Sequence, residues 1–300
     1  MMRIFYNGTD ITAACCPEEA IYYDRTGKAD SLELTLPFGE RWISWGTEEG
    51  DTIRVTREGC DTGEMYITAA ELDGGKWRIL ATAAKPKCRK KGYRVYSGTM
   101  LRICARAAGE GDSSFSCWGV EDMALGSAVR SGETPGEFLN RLAEYAGAAL
   151  KTYNGAFRMV GIRKAQERAV IQTLRLRGEQ PGVRYLRRFD LGTAKLTVGT
   201  GAGQVSAWET EEGPGPEETV TGTPAREAAL AGVIARNLIL VKNRQREELT
   251  VETAFSPGWT ALGRINTEGA GALGGQWILE EVRQDLKNGR TKGRMVRVME

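Results

Sequence analysis

The stretch TPGEFLNRLAEYAGAALKTYNGAFRMVGI, Thr134 to Ile162, changes its hydrophobic period part-way along. Thr134 suits an N-cap, Pro135 the first helical position, and Glu137 stands at capping-box spacing. Phe138, Leu142 and Tyr145 recur at helical spacing, with Leu139, Ala143 and Ala146 beside them. Gly147 can take the left-handed conformation that ends a helix. The period then falls to two: Leu150–Tyr153 and Ala156–Ile162 flank Asn154-Gly155, a strong hairpin signal. A helix therefore feeds a β-hairpin here, and two β-rich segments lie on either side of it.

With 300 residues the chain can bury more than one core. Its 41 Lys+Arg against 39 Asp+Glu argue against general binding to nucleic acid or acidic membranes. The 38 glycines against nine prolines suit a turn-rich α+β or all-β protein. Histidine is absent, which removes Ser-His-Asp and Cys-His catalysis, His-ligated zinc and HExxH chemistry. The cysteines Cys15, Cys16, Cys60, Cys88, Cys104 and Cys117 form no CxxC pair and read as reduced intracellular thiols. Zinc held by Cys15, Cys16, Cys60 and Cys88 would match none of the usual spacings. The N-terminal residues lack a signal-peptide pattern, and no run of 18 apolar residues offers a membrane span. No cofactor or metal is expected.

N-terminal to the opening stretch, short strands succeed one another. Leu32, Leu34 and Leu36 alternate with Ser31, Glu33 and Thr35, and Ile53 and Val55 with Arg54 and Thr56. Met65–Leu72 and Trp77–Thr82 flank Asp73-Gly74-Gly75 as a hairpin. Such strands must stack as a sandwich or close as a barrel, since open edges are a liability. The loop 38–50 interrupts them with Phe38, Trp42, Ile43 and Trp45, rings that either cap the barrel end or meet another subunit. PKCRKK, 86–91, reads as a solvated basic connector.

Next comes a repeat: Gly98–Gly109 aligns with Gly136–Gly147, pairing Met100 with Phe138, Cys104 with Leu142 and Ala108 with Ala146. Each copy is a helix ending at a glycine and followed by a strand, Ser114–Trp118 or Leu150–Tyr153. C-terminal to the stretch the strands return at 169–175, 184–191, 195–198 and 205–209. Gly199–Gly203 is a glycine-rich turn, lacking the Lys-Ser/Thr of a phosphate loop. Residues 209–223 form an acidic linker, and Thr223-Pro224 opens a helix to about Asn243. Strands at 249–255 and 259–266 follow, then a long hairpin, 275–282 with 290–298. Trp277 and Leu279 share one face of it, and Val282 needs a bulge to join them.

The order and spacing of these segments resemble the late control D family of phage tail proteins. The likeness rests on DSLELTLP (30–37), GDTIRV (50–55), GEMYI (63–67), KWRILATA (76–83), SGTMLRICARAAG (97–109), the opening stretch, and GGQWILEEVRQDLKNGRTKGRMVRV (274–298). It covers most of the chain without one specific motif. The family often carries a histidine after the valine of the closing strand, where this chain has Val282-Arg283-Gln284. The resemblance implies an α+β, mainly β fold of two β-barrel-like domains with a small α+β insert between them. The divisions fall at 1–90, 91–168 and 169–300, the last including the linker 209–223 and the helix 224–243. It further implies a homotrimeric baseplate hub whose barrels form a ring between tail tube and central spike. Tape measure and baseplate wedge proteins are further partners, and the location is the virion tail or an injection particle assembled in the bacterial cytoplasm. Phe38, Trp42 and Trp45 are the candidate subunit-interface residues. The alternative is a peptidoglycan-binding or cell-wall-hydrolysing tail protein, with Glu121, Asp122, Glu137 and Glu144 as available acids and the repeat at 98–147 as a glycan site.

Overall fold

The structure is a computed structural model that describes residues 1–37, 46–189, 192–200, 203–208 and 216–298. The first segment supplies β1 (Met2–Tyr6), β2 (Thr9–Asp10), β3 (Glu19–Arg25), β4 (Ser31–Pro37), β5 (Thr52–Arg57), β6 (Cys60–Asp61), β7 (Met65–Asp73) and β8 (Lys76–Thr82). The central segment runs β9 (Gly92–Gly98), α1 (Met100–Glu110), β10 (Ser114–Trp118), β11 (Gly126–Glu133), α2 (Pro135–Tyr145), β12 (Ala148–Tyr153), β13 (Ala156–Gly161) and α3 (Ile162–Gln166). The last contains β14 (Val170–Arg175), β15 (Val183–Arg187), β16 (Lys195–Thr200), β17 (Gly203–Trp208), β18 (Glu217–Val220), α4 (Ala228–Asn243), β19 (Glu247–Ala254), β20 (Arg264–Glu268), β21 (Gly275–Asp285) and β22 (Arg290–Arg297).

Local chemistry accounts for the opening stretch. Thr134 Oγ1 accepts the amide of Glu137 at 3.2 Å, and Glu137 returns by accepting the Thr134 amide at 2.8 Å. Gly147 takes φ +63° after α2. Asn154 and Gly155 both have positive φ, as a two-residue hairpin turn requires, and β12 pairs with β13 from Tyr153↔Ala156 outward. The strand stops at Gly161, and Ile162 opens α3 instead of closing the hairpin.

The fold is mainly β with helices, in several sheets. The two β-rich segments share one sheet, ordered β15-β19-β22-β21-β3-β4-β8-β7-β5-β1-β2, and no barrel closes among the described residues. The join is β21. Its eleven residues are long enough to pair with β20 at one end and β3 at the other, while β22 lies along the opposite edge. A bulge falls where Val282 demanded it: Leu279 faces Met295 and Glu281 faces Arg294, so Glu280 is extra. Trp277, Leu279 and Val282 then share a core with Leu249, Val251 and Met295. The first segment has its own core of Ile4, Leu32, Leu34, Leu36, Ile53 and Val55.

The two helices carry similar apolar stripes, in a register that differs from the sequence alignment. The residues buried on α1 are Met100, Ile103, Cys104, Ala107 and Ala108; on α2 they include Pro135, Phe138, Leu139, Leu142 and Ala143. These match at an offset of 35, not 38. A slip of three is almost one helical turn, so the apolar pattern alone fits both registers. The repeating unit also begins earlier, with the antiparallel pair β9 and β11. β10 then pairs with β13 in parallel, giving the sheet β10-β13-β12.

Three expectations about the last segment change. Residues 217–220 of the supposed linker form β18, parallel to β16, and Glu218 holds Lys242 and Thr193. The fourth helix starts at Ala228 after an extended Glu227, not at Pro224. It packs on α2 and on the β17-β16-β18 sheet, in the same core as Phe138 and Leu142. The strand expected from Trp259 begins only at Arg264, because Leu262, at φ +67°, turns to donate its amide to Leu279.

Candidate assembly site

The β12–β13 hairpin joins all three segments. Along its edge Gly27 donates to the carbonyl of Leu150 at 2.8 Å and Asp30 to that of Thr152 at 3.1 Å. At its tip Gly155 donates to Ala83, and Asn154 Oδ1 accepts the amide of Glu64. Its other side places Ala149, Val160 and Ala165 against Leu262, Ile278 and Val296 of the last segment.

A polar cluster sits in this junction. Lys151 Nζ donates to Asp24 Oδ2 and to Thr260 Oγ1, each at 2.7 Å, and Thr260 donates to the same Asp24 oxygen at 2.7 Å. One side chain from each segment thus closes a triangle. Asp24 is 4% exposed, and its Oδ1 has no hydrogen-bond partner. Asp30 lies nearby, fully buried, accepting the Tyr22 hydroxyl at 2.8 Å and the Arg25 amide at 3.1 Å. Burial, then the charge of Asp24, push the Asp30 carboxyl up to about 8, against the opposing pull of Lys151 and the two hydrogen bonds. Asp30 therefore holds its proton at neutral pH, and Asp24 and Lys151 balance. Beside the cluster a cleft of about 410 Å³ is lined by Lys151, Tyr153, Arg158 and Trp259.

A second buried pair ties α4 to the sheet. Arg244, which follows α4, meets the bulged Glu280 through both guanidinium nitrogens at 3.1 and 3.2 Å, and Thr26 donates to Glu280 at 2.7 Å. The bulge is what turns Glu280 inward to these partners.

Phe38, Trp42 and Trp45 lie outside the described residues. The four candidate acids form no facing pair with free carboxylates. Asp122 accepts the Leu101 amide at 2.9 Å and so serves the start of α1. Glu137 belongs to the capping box. Glu144, raised by burial, is held by Asn140 at 3.0 Å. Glu137 and Glu144 share a cleft of about 500 Å³, two helical turns apart on α2, and Glu121 lies elsewhere, at the cleft between Gly119 and Arg236. The cysteines are thiols: Cys15 and Cys60 sit in the first segment's core, Cys88 and Cys104 in the central one, so no zinc set comes together. Among the described residues no group of three or more Cys, Asp or Glu is placed to hold a metal, and no helix is long and apolar enough to cross a membrane.

Sequence reasoning passed over Asp24, Asp30, Lys151 and Thr260. The signal for Asp24 was available: it shares parity with Ala20 and Tyr22, so the buried face of β3 ends on an acid.

No family model matches the chain, and no curated protein matches it in sequence. Solved structures do match in fold. The tail protein from Neisseria meningitidis MC58 superposes with TM-score 0.76 at 13% identity, covering 99% of this chain and 96% of its own. The chain has the fold of a phage tail protein. The 43 kDa tail protein of prophage MuSo2 from Shewanella oneidensis gives 0.74 at 13% identity, covering 98% and 97%. The E. coli c3393 protein, a component of the type VI secretion system, gives 0.63 at 11% identity, with 99% of this chain and 77% of that one covered.

Proposed function

We propose that this chain is a structural subunit of a phage tail or related contractile injection machine, a hub of the late control D type. In this reading three copies form a ring joining the tail tube to the central spike. Residues 1–90 and 169–300 supply two barrel-like ring units and 91–168 the insert between them. The observation that carries the reading is the end-to-end fold match to two tail proteins. The junction supports it, since three segments clamped by buried polar contacts suit a part that bears load without moving internally. Phe38, Trp42 and Trp45 contribute to a subunit contact in this proposal, and changing Trp42 and Trp45 to alanine should weaken assembly. The direct test is the mass of the purified chain by native mass spectrometry and sedimentation, alone and with a spike protein. A species of three times the 32.8 kDa chain mass is expected. A monomer at every concentration and with every partner would sink the hub.

A further inference from the structure

Among the strand edges of the long sheet that have no neighbour among the described residues are those of β15 and of β7. β15 ends the sheet and pairs on one side only, with β19. β7 meets β5 only at Met65 and Tyr66, leaving its outer edge open from Thr68 to Asp73. A bulge between Ile67 and Ala69 turns this stretch away from the body, and every residue in it is exposed. Leu72 lies opposite Trp77 and shares the core-side face with buried Ile79, yet it is 48% exposed. The stretch contains no proline or lysine, the residues that usually guard an edge.

The charges on these two strands are opposite, although Glu71 of β7 lies across from Arg78 of β8. Asp73 faces Lys76, but Lys76 is held by Glu18 at 2.7 Å, and Glu71 and Asp73 make no ion pair among the described residues. On the other edge, Glu247, Glu248 and Glu252 of β19 are matched by Arg297, Arg294 and Arg290 of β22. Among the described residues Arg184 of β15 and the following Arg188 make no ion pair, and Phe189 beyond them is 86% exposed.

We propose that the outer edge of β7 in one copy lies against β15 of a second copy, so that the sheet runs head to tail from chain to chain. The inference rests on the ring reading above and names its seam. A contact between two different edges is heterologous, as a closing ring requires. The acid pair Glu71 and Asp73 meets Arg184 and Arg188, and Leu72 gains a cover that the described residues do not give it.

The test uses the full chain in sedimentation and native mass spectrometry. Reversing one side, by Glu71→Arg with Asp73→Arg or by Arg184→Glu with Arg188→Glu, should weaken association by about tenfold or more. Combining all four changes in one chain should restore it, which a folding defect would not. Independently, hydrogen exchange across 68–73 and 183–187 should be slower in the oligomer than in the diluted monomer. A chain that never associates overturns the ring and the seam together. An oligomer that withstands both reversals, with no added protection at these strands, overturns the seam and leaves the ring standing.

Discussion

Two buried carboxyls and one ammonium at the junction allow a quantitative prediction about Asp30→Asn. In the folded chain Asp30 is fully buried and titrates near 8; in the unfolded chain it returns to about 3.8. Between those limits the folded state binds one proton more than the unfolded state. Stability is therefore complete in acid and is lost as pH rises, by about 1.4 kcal/mol per pH unit. The asparagine variant has no proton to hold and escapes this penalty. The two incoming donors meet different oxygens, Tyr22 at Oδ2 and the Arg25 amide at Oδ1, so the asparagine keeps one of these bonds, and the cost of setting the other against its amide nitrogen is independent of pH. Urea unfolding of both proteins from about pH 5 to about pH 7.5 gives the difference directly, since the carboxylates outside this cluster contribute equally to each. The variant should gain on the wild type by about 3 kcal/mol over that range, one proton over roughly 2.5 pH units. Parallel pH profiles for the two proteins would refute the reasoning. They would mean that Asp30 is ionised in the folded state and that water or a rearranged Lys151 serves it.

Other substitutions follow from the same contacts. Lys151→Met leaves Asp24 buried beside Thr260 alone and should cost about 3 kcal/mol at neutral pH, less in acid; a loss below about 1 kcal/mol in urea unfolding would contradict the charge balance. Gly293→Ala places a methyl group 2.5 Å from the Trp259 ring and 2.8 Å from Leu279 on the crowded face of β22, for an expected cost of about 1–3 kcal/mol, read as a lowered melting temperature. Thr134→Ala should cost about 1 kcal/mol through the lost cap. Thr99→Ala at the equivalent position of α1 should cost far less, because Thr99 makes no capping bond and Asp122 serves that helix instead. Equal losses at Thr134 and Thr99 in thermal unfolding would show that the cap assignment is wrong.

What the sequence disclosed is what short-range chemistry determines. The capping box, the Asn154-Gly155 turn and the hairpin at Gly74-Gly75 each depend on residues within a few positions of one another, and each was readable. The bulge in β21 was readable as well, because Val282 breaks a parity set only a few residues earlier. Pairings across the chain were not. Nothing local says that β21 reaches back to β3, or that Thr260 and Lys151 converge on Asp24. The resemblance implied two barrel-like domains; the eleven residues of β21 let the two β-rich segments share one sheet, and no barrel closes among the described residues.

The misplaced register of the repeat shows how such an ambiguity is resolved. On the helices alone, offsets of 35 and 38 both superpose apolar residues. The helix boundaries separate them: Thr99 precedes α1 and Thr134 precedes α2 at a spacing of 35, and Glu110 and Tyr145 end the two helices at the same spacing. The glycines that suggested the alignment, Gly109 and Gly147, occupy different places: Gly109 lies inside α1, while Gly147 follows the end of α2. Helix boundaries discriminate where helical periodicity cannot, because a cap fixes one residue while an apolar stripe recurs every three or four.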